Sequence, residues 1–309
     1  MSRTISDFFD EPGPIARRRT NIITAVGLAI FIGVIAWIGY MLADKGQFAA
    51  EKWTPFLETS TWTTYFIPGI LGTLKAAALA IVFSNALGLI LGIMRLARNR
   101  LIRIVGGTLV EFFRAVPVLV LMLFFYFMFA AALDNPADAP FWGVVCGLTM
   151  YNGAVIAELV ASGVKSLPSG QSEAGLALGM TSGRTLVSIL LPQGLIAMMP
   201  SMVAQLVVIL KDTALGYTIT YFELLNRAKT FGSAYQNYLP ALFVAAVMFI
   251  IVNILLGQLA RILSRKLESA TGLTAPEQQG DPEEDLALSE MNADITPPMK
   301  DLSAAKAAH

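Results

Sequence analysis

Apolar runs of about twenty residues recur along this chain, the length that a helix needs to cross a ~30 Å hydrocarbon core. They lie at 22–43, 66–94, 107–131, 141–163, 196–217 and 239–263. Composition agrees: 55% of the 309 residues are hydrophobic and 14% are charged, against about 25% charged in soluble domains. The expected fold class is therefore an all-α polytopic membrane protein with six transmembrane helices. The first run is longer than the apolar region of a secretory signal, and no small-x-small cleavage site follows it, so it reads as a retained helix.

Lysine and arginine set the expected orientation. With the N-terminus inside, the cytoplasmic segments hold fifteen of the 22 basic residues. The outer loops hold Lys45, Lys52, Arg227 and Lys229, and the spans hold Lys75, Arg114 and Lys211. The positive-inside rule then places both termini in the cytoplasm. Residues 1–21 become a cytoplasmic N-terminal segment. From residue 268 the apolar pattern stops and Asp281, Glu283, Glu284 and Asp285 cluster, so 268–309 reads as a disordered acidic cytoplasmic tail.

Several function classes are excluded or weakened. Net charge is zero, which gives no electrostatic footprint for nucleic acid. Cys146 is the one cysteine and has no internal disulfide partner. His309 is the one histidine, so histidine triads and histidine–metal sites are not expected. No Gly-x-x-x-x-Gly-Lys-Ser/Thr run is present, so the chain is expected to carry no ATPase site, no bound cofactor and no catalytic residue of its own.

The stretch 173–192, EAGLALGMTSGRTLVSILLP, is unlike a short connecting loop. Glu173, Ala174, Gly179, Ile189, Leu191 and Pro192 fall in register with Glu-Ala-Ala, three residues, Gly, nine residues, Ile, one residue, Leu-Pro. Gly175 stands where that pattern has its second Ala, a small-for-small change. The stretch resembles the cytoplasmic EAA loop of ABC-importer permease subunits. A helix over 172–181 is expected, with Ser172 as its N-cap, and Pro192 is expected to break the backbone before the next span. An amphipathic interfacial helix without a partner is the alternative.

Other segments extend the resemblance to the polar amino-acid (histidine/glutamine/glutamate) permease family. They are FFRAVPVLVLMLFFYF at 112–127, ELVASGVKSLPSGQSEAGLALG at 158–179, LLPQGL at 190–195 and LKDTALGYTITYFELLNRA at 210–228. The resemblance covers residues 66–263, with the coupling loop at 165–195, and is strongest to glutamate-importer permeases. It implies a type I importer core of five helices, to which 22–43 adds an extra N-terminal helix. It also implies partners: a cytoplasmic ABC ATPase dimer that supplies ATP and Mg, a second homologous permease subunit (a heterodimer rather than a homodimer), and an extracytoplasmic amino-acid-binding protein docking near 44–65 and 218–238. The expected site is the bacterial plasma membrane.

Charged groups inside spans cost about 2.5–3.5 kcal/mol on insertion scales unless paired or hydrated. Arg114 and Glu158 sit at similar expected depths, about 10 Å and 7–8 Å from the cytoplasmic ends of their spans at 1.5 Å per residue. An ion pair or shared hydrated site on the inner half of the pathway is expected, with a purely structural pair as the alternative. Lys211, Asp212 and Thr213 lie toward the outer end of the fifth span. Lys211 or Arg114 suits an anionic substrate better than Asp212 does, and Thr213 offers a hydroxyl donor. A salt bridge to another helix or snorkelling is the alternative for Lys211. Gly69, Gly72, Gly88 and Gly92 invite close helix packing. An ion-coupled secondary amino-acid transporter using Arg114, Glu158, Lys211 and Asp212 stays as the alternative function.

Overall fold

The computed structural model describes residues 14–271. Most of the N-terminal segment 1–21 and nearly all of the expected tail 268–309 lie outside the described residues; the first four residues of that tail, expected to be disordered, are the end of a helix that runs to Thr271. Among the described residues every regular element is helical, as a bilayer requires of a chain that must satisfy its backbone internally. Among the described residues five helices are long and apolar enough to cross a membrane: Arg17–Asp44, Thr59–Leu96, Pro136–Lys165, Met199–Ile219 and Tyr238–Ser264.

The run 107–131 departs from the expected straight span. It is split into α3 (Arg100–Ala115) and α4 (Val118–Ala132), bent by 99°. The break is at Val116, which is extended at φ −81° and ψ 127°. Proline disfavours the helical region for the residue before it and has no N–H to continue the ladder. Pro117 therefore ends one helix and starts the other. α3 is capped by Asn99, whose side chain accepts from Leu101 N and Ile102 N at 2.9 and 3.3 Å. It buries Gly106 and Val110 and exposes Leu101, Val105 and Phe112. The depth expected for Arg114 assumed one straight helix from the cytoplasmic side, and this bend removes that basis.

The described residues form two compact units. One comprises the chain up to Lys75 together with Thr220–Ile251, and the other Ala76–Ile219 together with the chain from Val252 on. In the first unit α1 (Pro14–Asp44) leads to short helical turns and the start of α2 (Ile67–Leu96). None of the most apolar window of α1 is buried. The core here joins Phe66 to Leu224, Ala228 and Phe231 of α9 (Leu224–Ala234) and to Ala241 and Ala245 of α10 (Tyr238–Thr271). Gly69 and Gly72 make this possible: a Cβ on Gly72 would collide with the carbonyl oxygen of Phe222, and one on Gly69 would lie 3.0 Å from Leu224 Cα.

The second unit is built around α5 (Ala139–Lys165), most of which is buried. Small residues let its neighbours approach. Cβ atoms on Gly143 and Gly147 would press on Tyr126 and Met122 of α4 at 3.0 and 2.7 Å. On α2, a Cβ on Gly88 would lie 2.5 Å from Ile156 Cγ2 and one on Gly92 2.8 Å from Val160 Cγ1, which bears out their packing role. After α5 come α6 (Ser169–Ala177), the turns Ser182–Thr185 and Leu186–Leu190, α7 (Leu191–Ala197), α8 (Met199–Asp212) and a 3-10 turn Thr213–Ile219.

Candidate functional site: the 165–195 hairpin and the charged cluster

The stretch 173–192 folds as a helical hairpin. α6 starts at Ser169, directly after Pro168 (φ −56°, ψ 139°), three residues before the expected cap. Ser172 is therefore inside the helix and is not its N-cap. The fixed φ of Pro168 sets the start instead. The C-terminus is closed by Gly179 at φ +77°. Met180 N donates to Gly175 O at 3.1 Å and Gly179 N to Leu176 O at 2.9 Å, the paired bonds of a Schellman cap.

The returning arm begins at Thr181, whose hydroxyl accepts from Arg184 N at 3.4 Å. It then widens into the π turn Leu186–Leu190 and continues through Pro192 to Ala197. Pro192 does not break the backbone as expected. The π turn before it absorbs the lost hydrogen bond, and the break falls at Met198 (φ −95°, ψ 3°). Gly175 is buried where the arms cross; a Cβ there would lie 2.6 Å from Thr185 Cγ2 and 3.2 Å from Ile189 Cδ1. Leu191 is also buried, and packs with Ile156, Val160 and Leu186. Glu173 and Ala174 are exposed, as are Leu176 at 48% and Leu178 at 81%. The hairpin thus shows an outward strip of one acid and several apolar side chains. Two side-chain bonds fasten it: Gln193 Nε2 donates to Gln171 Oε1 at 3.3 Å across the arms, and Arg98, in the turn before α3, donates at 3.2 Å to Ser182 Oγ near the tip.

Arg114 and Glu158 do meet, with N–O 3.4 Å. The pair belongs to a larger cluster. Arg95 lies 3.0 Å from Glu158 and 3.1 Å from Glu111. Glu158 is thus held by two guanidinium groups and is the more sheltered partner at 29% exposure, against 41% for Arg114. The sequence reading counted Arg95 only among the basic residues expected on the cytoplasmic side and did not single out Glu111. They meet because the turn at Asn99 brings α3 back beside the end of α2.

At the far end of α8, Lys211 is exposed and Asp212 half-buried. Thr213 is buried and its hydroxyl already donates to Leu210 O at 2.7 Å, so the expected free donor is not available. These three residues lie apart in sequence from the Arg95 cluster. Deeper in the helices, Gln205 donates to Asn152 Oδ1 at 2.6 Å, and Asn152 donates to Leu148 O at 2.9 Å. This buried amide bridge between α5 and α8 was not anticipated from the sequence. In the first unit Glu223 is fully buried and caps α9, accepting from Leu225 N and Asn226 N at 2.8 and 2.6 Å. Burial pushes its carboxyl up to about 7, against the opposing pull of those two amides. Among the described residues no three His, Cys, Asp or Glu side chains gather closely enough to hold a metal ion.

Comparison with known proteins places this geometry. Residues 84–269 match the family described as "Binding-protein-dependent transport system inner membrane component". The glutamate transport system permease protein GluD of Corynebacterium glutamicum is 47% identical over 74% of this chain and 84% of its own length. The probable glutamine ABC transporter permease protein GlnP of Bacillus subtilis is 34% identical over 63% of this chain and 90% of its own. A crystal structure of an amino acid ABC transporter superposes with a TM-score of 0.60 at 25% identity, covering 68% of this chain and 98% of that one. These likenesses favour the ABC reading over the ion-coupled one. The chain is a multi-pass membrane protein and belongs to the family of inner membrane components of binding-protein-dependent transport systems.

Proposed function

We propose that this chain is a permease subunit that carries glutamate through the membrane by alternating access. The 47% identity to GluD, extending over 84% of that protein, is the observation that supports this most strongly. In this reading the exposed strip of the 165–195 hairpin, Glu173, Ala174, Leu176 and Leu178, seats against a cytoplasmic ATPase dimer. Gly175, Gly179, Ile189, Leu191 and Pro192 hold the hairpin's shape. ATP and Mg are bound by the ATPase, and the motion passes to α5 and α7 through the base of the hairpin. Both termini lie in the cytoplasm. A second, similar permease completes the pathway as a heterodimer, and an extracytoplasmic binding protein delivers glutamate to the segments 44–65 and 218–238.

Arg114 and Glu158 line the inner half of the pathway. Arg114 has one long contact and Glu158 retains Arg95 when that contact opens, so Arg114 is the cation best placed to accept a substrate carboxylate. Lys211 offers a second cation toward the outer side, with Asp212 and Thr213 beside it. The test is Glu173→Lys in the assembled complex. The expected result is loss of ATPase co-purification or of ATP-driven glutamate uptake, with membrane insertion unchanged. Undiminished uptake by this variant would count against the coupling role.

A further inference from the structure

A cleft of about 380 Å³ lies between the first half of α8 and the C-terminal part of α10. Pro200, Val203, Ala204 and Val207 line one wall, and Gly257, Arg261 and Ser264 the other. The helices touch at the deep end, where a Cβ on Gly257 would sit 3.7 Å from Val207 Cγ2. At the other end the sequence of α10 turns basic, with Arg261, Arg265 and Lys266, as chain approaching the membrane boundary does. Seven residues of helix separate Gly257 from Ser264, about 10 Å at 1.5 Å per residue.

The chemistry of the cleft is polarised along this depth. Arg261 and Ser264 are three apart on α10 and so share a face. They put a cation and a hydroxyl at the boundary. Val203, Val207 and Gly257 put only apolar surface further in. Arg261 also opens a basic stretch continued in the sequence by Arg265 and Lys266. A free acidic amino acid matches the mouth but not the apolar depth. A zwitterionic lipid matches the depth but gains little from the cation.

We propose that this cleft binds an anionic phospholipid, its phosphate at Arg261 and Ser264 and an acyl chain along Val203, Val207 and Gly257. Basic pockets between transmembrane helices take anionic headgroups on the cytoplasmic side. The assignment to the inner leaflet rests on the orientation given under the proposed function; the cleft and its polarity do not.

The test uses the full chain in nanodiscs of equal parts phosphatidylglycerol and phosphatidylcholine, with retained lipid counted by native mass spectrometry. The wild-type protein is expected to retain phosphatidylglycerol preferentially. Arg261→Gln is expected to reduce that preference about fivefold, the effect of one basic residue at a membrane surface. Ala204→Phe, which fills the apolar depth and leaves the cation, is expected to abolish retention. An unchanged preference in Arg261→Gln, or no retained lipid in the wild type, overturns the proposal. So does displacement of the lipid by excess glutamate, which would make the cleft part of the substrate path. Glutamate uptake by the complete transporter is measured separately, so its failure would count against the transport reading and leave lipid retention to be judged alone.

Discussion

Replacing Gly175 by alanine would restore the sequence pattern of the EAA loop, yet the structure predicts that it harms this hairpin. In an isolated helix the change gains about 1 kcal/mol. Here the new Cβ would lie 2.6 Å from Thr185 Cγ2 and 3.0 Å from Thr185 Oγ1. Thr185 is β-branched and stiff at χ1, it is buried, and its hydroxyl is tied to Thr181 O at 3.1 Å. It cannot turn aside without losing that bond. Overpacking of this kind costs about 1–3 kcal/mol, so the net effect is a loss of up to about 2 kcal/mol. A loss of about 1.4 kcal/mol speeds local opening about tenfold. Hydrogen exchange at Leu178, Gly179 and Met180, whose amides close the hairpin, should report it. Gly175→Ala should exchange about tenfold faster there. Adding Thr185→Ser, which removes Cγ2 and keeps the hydroxyl, should restore most of the protection. Slower exchange in the single variant would refute the reasoning, because helix propensity would then outweigh the contact.

Three further outcomes are expected. Gly179→Ala, at φ +77°, should lose about 1–2 kcal/mol of hairpin stability from left-handed strain alone, read by the same exchange at Met180. Charge exchange of Arg114 with Glu158 should fail to rescue glutamate uptake, because an arginine at 158 would face Arg95, now 3.0 Å away; adding Arg95→Gln should recover more, and full rescue by the simple exchange would contradict the cluster. Glu223 is raised in the folded protein from 4.5 to about 7, so it binds its proton more tightly when folded. The stability it contributes is present below about pH 4.5 and is lost as pH rises through about 7. Thermal unfolding should therefore show a fall between pH 5 and 8 that Glu223→Gln flattens; identical profiles would count against the buried carboxyl.

The spans were legible because each apolar run is long enough for one helix and little else satisfies a backbone in lipid. The same reading misjudged 107–131. Hydropathy averages across a proline, whereas the bend depends on Val116 being pushed out of the helical region. The sign available was Arg100, Arg103, Glu111 and Arg114 ahead of Pro117, four charges that a single straight apolar span would not carry. In the hairpin, the motif residues identified the place but not the geometry. The expected helix over 172–181 ran through Gly179, which instead closes it at φ +77°, and the π turn at Leu186–Leu190 leaves no local pattern, so Pro192 was mistaken for a break. Arg114 and Glu158 could be paired from their opposite signs, although the depth argument assumed a straight helix that the 99° bend rules out; Arg95 and Glu111 could not be brought in at all. Their meeting depends on the turn at Asn99, which is a tertiary fact. The Asn152–Gln205 bridge and the burial of Glu223 were equally out of reach, since each joins residues whose own neighbours in sequence give no reason to single them out.

The central claim is that this chain moves glutamate at the expense of ATP hydrolysed by partner subunits. The most direct measurement is uptake of labelled glutamate into proteoliposomes that contain this chain, its co-purified permease and ATPase partners and the binding protein, with and without ATP. The account predicts uptake that requires ATP and is lost with Glu173→Lys. Glutamate uptake that proceeds without ATP, driven by an ion gradient alone, would contradict it.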